Sequence, residues 1–142
     1  MTEPNVVSFE VKAIGKVESP LLDIAAAPRQ PDEGAPAAWL VFEPRVADAL
    51  RSLRVGQDIL VLTWLDRARR DVLSVHPRGD TARAQEGVFS TRSPDRPNPI
   101  GLHRVTITAI DGQRIQVDRL EAIHGTPIVD VKPVLAEEIG QR

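Results

Sequence analysis

The stretch Gly87–Leu102 reads Gly-Val-Phe-Ser-Thr-Arg-Ser-Pro-Asp-Arg-Pro-Asn-Pro-Ile-Gly-Leu. Pro94, Pro97 and Pro99 fix φ and push Ser93, Arg96 and Asn98 toward extended backbone. A loop stiffened in this way loses less entropy when a ligand arrives. Its polar heads are Arg92, Arg96 and Asn98. A guanidinium forks onto carboxylate or phosphate, and an asparagine amide can pair bidentately with an adenine edge. Gly101 permits close approach of another group to the backbone. The same residues also suit a rigid connector whose arginines pair with Asp95 or Glu86. Residue types alone leave both readings open.

A second stretch, His124–Pro133, reads His-Gly-Thr-Pro-Ile-Val-Asp-Val-Lys-Pro. It predicts a turn that feeds a strand. On that strand Asp130 and Lys132 share a side, either to orient a ligand amine or hydroxyl or simply as an ion pair. Other chemistries are excluded. No two glycines are separated by a single residue, so the dinucleotide fingerprint Gly-x-Gly-x-x-Gly is absent. No P-loop and no Gly-x-Ser-x-Gly elbow occur. His76, His103 and His124 lie too far apart in sequence for a helical zinc pair. The chain has no cysteine, which rules out disulfides, thiol nucleophiles and thiolate metal sites and suits a reducing cytosol.

The elements that must carry these stretches are mostly short strands. Val6–Val17 is rich enough in β-branched residues for a strand, with Gly15 as a possible bulge. Residues 1–5 read as a frayed end, and Ala25–Pro36 as a Pro/Ala-rich loop. Trp39–Phe42 is a short strand. Pro44 opens a short helix through Leu53, with Val46, Leu50 and Leu53 on one face. Ile59–Leu65 is a continuous apolar run, expected to be covered on both faces. Val72–His76 is a strand, and Pro77–Asp80 a turn. Val105–Asp118 alternates around Asp111-Gly112 and predicts a β-hairpin. Ile128–Lys132 is the last strand. Six or seven strands and one helix imply a mainly-β domain, barrel or sandwich.

The chain's 142 residues are 42% hydrophobic, enough for one core and about the size of one domain. No apolar run is long enough to cross a membrane as a helix, and Met1–Pro4 does not open a secretory signal. The net charge is -2, but its distribution is uneven. Residues 67–104 hold eight Arg and four acids, a net of +4, against ten basic and sixteen acidic residues elsewhere, a net of -6. That pattern fits local binding of an anion better than coating by nucleic acid, and it also fits an ordinary mixed surface.

Together, Phe89–Leu102 and Gly125–Pro133 resemble the TrmO family, also called TsaA-like or VirR-like proteins, with further support from Ile14–Pro20. The resemblance runs over about residues 10 to 135. It implies a small β-barrel with one short helix, a single domain over 1–142, a homodimer and a cytoplasmic enzyme that uses S-adenosylmethionine. The family's characterised reaction methylates N6 of threonylcarbamoyladenosine at position 37 of a tRNA. Carried over by position, the cofactor contacts would be Ser19, Pro20 and Leu21, then Asp66 and Arg67, then Arg92, Leu102 and the turn His124, Gly125, Thr126 and Pro127. Arg96, Asn98 and Lys132 would line the substrate side, with Asp130 as the candidate acceptor of the departing proton. No metal is implied.

The chain departs from the family where Asp66 replaces a common His and Val134 a common Tyr. It also stops at Arg142, without the C-terminal domain of longer bacterial members. Two alternatives follow from these departures. One is a module that binds S-adenosylmethionine or another adenosine ligand without turnover. The other is an enzyme of the same cofactor acting on a small substrate.

Overall fold

The computed structural model describes residues 6–22, 35–76 and 79–135. The expected frayed end, most of the Pro/Ala-rich loop, Pro77 and Arg78 of the expected turn, and residues 136–142 lie outside the described residues.

Six strands close into a barrel in the order β1-β2-β7-β6-β3-β8. They are β1 (Gly15–Glu18), β2 (Ala38–Phe42), β3 (Asp58–Trp64), β6 (Ile100–Asp111), β7 (Arg114–Val117) and β8 (Pro127–Pro133). The pairing of Gly15 with Ile128 shuts the ring. The two-residue strands β4 (Ser74–Val75) and β5 (Glu86–Gly87) pair separately. Alternation builds the core: Val17, Leu40, Val61, Val105, Ile115 and Ile128, one from each strand of the ring, are buried inside it. Each such side chain contributes about 2 kcal/mol on leaving water.

Several expectations are corrected in detail. Residues 6–14 form no strand; only Gly15–Glu18 does, because the closed ring leaves no free edge for the rest. Gly15 marks no bulge there. It lets β2 come close, since a Cβ would collide with the Val41 carbonyl oxygen. The helix after Pro44 is 3-10, Pro44–Leu50. Its N-cap, Glu43, makes no side-chain cap, and the bonds run over three residues, as from Val46 N–H to Glu43 O. Val46, Leu50 and Leu53 do pack together against the core. β3 buries only its inner face; Leu60, Leu62 and Trp64 are half-exposed outside. The strand expected at 72–76 shrinks to β4. The hairpin turn centres on Gly112-Gln113, with Asp111 opposite Arg114. Gly112, at φ 59°, takes the positive-φ first position of a II′-type turn.

Candidate functional site

Every neighbouring pair in the ring is antiparallel. The ends of β1, β3 and β7 and the starts of β2, β6 and β8 therefore share one rim. Three connections, 19–37, 65–99 and 118–126, leave that rim, the first two being the longest in the chain; 43–57 and the 112–113 turn leave the other. The first three carry most of the residues singled out in the sequence. The two signature stretches meet there too, since Gly101 and Ile128 both lie opposite Thr63, one on each side of β3.

One group of contacts joins the first connection to the third. Ser19 N–H donates to His124 Nδ1 at 3.2 Å, and Leu21 N–H to Ser19 Oγ at 3.1 Å. His124 N–H donates to Leu21 O at 2.6 Å, and Gly125 N–H to Val17 O at 2.7 Å. Gly125 turns the chain at φ 87°, and the Thr126 hydroxyl closes the bend on Ile123 O at 2.7 Å. Pro20 sits exposed between these contacts, and Pro127 opens β8. The second connection joins them through Arg67, whose guanidinium donates to Leu22 O at 3.3 Å. Asp66 beside it is exposed.

A second group locks the proline-rich loop onto residues 65–70. Leu65 N–H donates to Pro99 O at 2.8 Å, and Arg69 N–H to Asp95 Oδ1 at 2.9 Å. Arg70 reaches Pro97 O at 2.7 Å and Asn98 Oδ1 at 2.8 Å. The Arg69 guanidinium pairs with Asp71 and holds its carboxyl below the usual aspartate range. Arg96 faces inward on its own loop and donates to Ser93 O, Val88 O and Thr91 O at 2.5–2.7 Å. Its charge braces the loop. Arg92 is exposed, with no hydrogen bond among the described residues.

Three of the sequence candidates sit on the outer wall below the rim. Leu102 and Asp130 flank Leu62 on neighbouring strands. At two strand spacings they stand about 10 Å apart. Asp130 pairs with Lys132 at 3.2 Å, on the shared side expected, and takes the Val131 N–H at 2.9 Å. A register shift beside Leu62 places this pair. An open groove of about 490 Å³ runs over β1, from Ala13 and Pro44 to Gly125 and Pro127 at the rim.

Beneath the rim lies a network that sequence reasoning missed. His103 points into the barrel. Its Nδ1 meets Glu121 Oε1 at 2.7 Å and its Nε2 meets Thr63 Oγ1 at 2.7 Å. The two charged-type side chains are 5% and 15% exposed, and Glu121 Oε2 has no partner among the described residues. Nδ1 shares a hydrogen bond with the Glu121 carboxyl and Nε2 one with the Thr63 hydroxyl. The array ties β3, β6 and the 118–126 connection together at their roots. Gly101 makes room for it, since a Cβ there would lie 2.8 Å from His103 Nε2 and collide with Thr63 Oγ1. The signal in the sequence was parity: position 103 falls in step with inward-facing Val105 and Ile107. Among the described residues no cluster suits a metal ion.

Residues 16–138 match the family described as the tRNA-methyltransferase O N-terminal domain. An S-adenosyl-L-methionine-binding protein of Archaeoglobus fulgidus is 41% identical over 122 residues, covering 86% of each chain. The tRNA (adenine(37)-N6)-methyltransferase of Escherichia coli K12 is 33% identical over 137 residues, 90% of this chain and 58% of the relative. The crystal structure of TrmO from Pseudomonas aeruginosa superposes with a TM-score of 0.75 at 25% identity, covering 94% of this chain and 59% of that one. A second Archaeoglobus relative is matched over only 33% of its own length. The chain thus spans about three fifths of the tRNA methyltransferases it resembles and a third of one archaeal relative. With the closed barrel, the long-loop rim and this match over most of its length, the chain belongs to the tRNA-methyltransferase O N-terminal domain family.

Proposed function

We propose that the loop-bearing rim binds S-adenosylmethionine and that the chain transfers its methyl group to N6 of an adenosine in tRNA. The observation that carries this reading is the convergence of three separate connections on one rim, joined by the Ser19–His124 and Arg67–Leu22 contacts. The names of the archaeal and bacterial relatives support it.

The donor set fits the cofactor. Exposed Arg92 suits its carboxylate. Exposed Asp66 suits its ammonium or ribose hydroxyls, and the backbone groups of 19–21 and 124–127 suit its remaining polar edges. When bound, S-adenosylmethionine supplies an electrophilic methyl carbon. The protein aligns the adenosine nitrogen with that carbon. Asp130, held by Val131 N–H and Lys132, accepts the proton that the nitrogen gives up. The finer substrate is threonylcarbamoyladenosine at position 37, whose carboxylate matches a guanidinium at the rim. Asn98 presents its amide nitrogen there, since Arg70 occupies its oxygen.

Calorimetric titration with S-adenosylmethionine, then mass analysis of tRNA carrying the modified base, tests the reading. Saturable binding and one added methyl are expected. Arg92→Ala should weaken binding by about tenfold, the scale of one lost charge-assisted hydrogen bond. No binding at all would overturn the proposal. Binding without methyl transfer would instead favour the non-catalytic module, which Asp66 in place of a common His already keeps in view. Equal methylation of the bare nucleoside would point to a small substrate.

A further inference from the structure

The buried polar groups collect at the loop-bearing end of the barrel. Among the described residues they are Thr63, His103 and Thr126, and Glu121 lies nearly as deep. A buried ionisable pair is a poor source of stability, since well-packed apolar side chains of similar volume serve as well or better. Glu121 Oε2, without a partner among the described residues, adds a further desolvation cost. Stability alone therefore does not account for the Thr63–His103–Glu121 array. Its place does. Thr63 stands opposite Gly101 on one side and Ile128 on the other, so the array underlies the starts of both β6 and β8. Glu121 is the member carried by the 118–126 connection, three residues before His124.

We infer that this array is the positioning device of the His124–Pro127 bend. Glu121 sets the bend, and His103 and Thr63 anchor Glu121 to the barrel. The inference rests on the reading that the bend contacts S-adenosylmethionine. Leu120, Ala122 and Ile123 are buried and also hold the connection down. Apolar contacts are non-directional, so they fix its depth and leave its setting along the rim free. A hydrogen bond constrains distance and angle together. The Glu121–His103 bond at 2.7 Å, backed by the His103–Thr63 bond at 2.7 Å, supplies that constraint. From there the setting passes up a short run of contacts. Ile123 O takes the Thr126 hydroxyl at 2.7 Å, His124 N–H reaches Leu21 O, and Gly125 N–H reaches Val17 O. Ser19 N–H donates to His124 Nδ1, so the first connection takes its place from the same bend. Glu121 thus acts through the bend, and a bend held in its bound shape loses less entropy when the cofactor arrives.

Amide hydrogen exchange and calorimetric titration with S-adenosylmethionine, both on the full chain, test the assignment. Replacing the whole array by apolar residues, Thr63→Val with His103→Leu and Glu121→Leu, should keep the melting temperature at or above the wild-type value. In that variant the His124 and Gly125 amides should exchange about tenfold faster, while amides of the β3–β6 ladder keep their protection. S-adenosylmethionine should bind about tenfold more weakly. Glu121→Ala should loosen the bend more than the ladder. Glu121→Gln, which keeps both an acceptor and a donor for His103, should restore most of the protection and affinity. If the triple variant fails to fold, the contrast between Glu121→Ala and Glu121→Gln carries the test. Wild-type exchange in Glu121→Ala would overturn the inference. So would protection lost evenly over bend and ladder, which marks a merely structural role, or a loosened bend with unchanged affinity. A wild-type chain that does not bind S-adenosylmethionine would overturn the cofactor reading and this inference with it. The exchange result then shows separately whether the array anchors the bend.

Discussion

Two arginines four positions apart, Arg92 and Arg96, show how one residue type divides its work. Arg96 spends its guanidinium on three carbonyls of its own loop, whereas Arg92 faces solvent. The sequence marked both as binding heads, and nothing in residue type distinguishes them; only the path of the backbone around Ser93 does. Gly101 was legible as a point of close approach. What approaches it is the buried Thr63–His103 pair, which no single-residue signal announces. Gly101→Ala should therefore lower stability by about 1–3 kcal/mol, the usual cost of overpacking. Thr63→Val should cost about 1–3 kcal/mol by leaving His103 Nε2 unpartnered, and Thr63→Ser should recover most of it. Urea unfolding monitored by circular dichroism checks all three.

Between elements, β3 and β6 share the longest ladder, from Asp58 opposite Thr106 to Trp64 opposite Ile100. At its far end Asp58 accepts from Thr106 Oγ1 at 2.6 Å and from Arg104 at 3.2 Å. The Thr106 hydroxyl first, then Arg104, hold its carboxyl below the ordinary aspartate range. A lowered native value means that folding favours the ionised form. The contribution is present at neutral pH, begins to fade as pH falls into the ordinary aspartate range, and is lost below the native value. Asp58→Asn should flatten the acid side of a melting-temperature profile and leave the contrast between pH 6 and pH 8 unchanged. The strands themselves were legible where alternation met a partner, as along Val105–Ile107 and Ile115–Val117. They were illegible where the partner was missing, as at residues 6–14, because propensity cannot say whether an edge is free.

For the whole molecule, the charge asymmetry of the sequence gains a place. Most of the basic segment 67–104 lies on the connection that leaves the loop-bearing rim, while several of its arginines are already committed to carbonyls or acids. Few phosphates can therefore be met at once. Binding to tRNA should weaken with added salt along a shallow log–log slope of magnitude about 2–4, the signature of a handful of contacts. Filter binding across a salt series measures it, and a slope near zero would remove tRNA phosphates from the account. Ring closure was legible through the family resemblance and not through alternation, which left barrel and sandwich open because the Gly15–Ile128 pairing joins residues remote in sequence.

The unequal connections give the barrel two ends of different temperament. At the Gly112-Gln113 end, one inserted residue would slide β6 past β7 and turn every inward side chain of one strand outward. At the other end, an insertion merely lengthens a tether, and each doubling of its length costs about 0.6 kcal/mol. Novelty in what this hoop of staves grips can thus be spliced into 19–37, 65–99 or 118–126, though not into the tight turn, while the hoop itself stays unaltered.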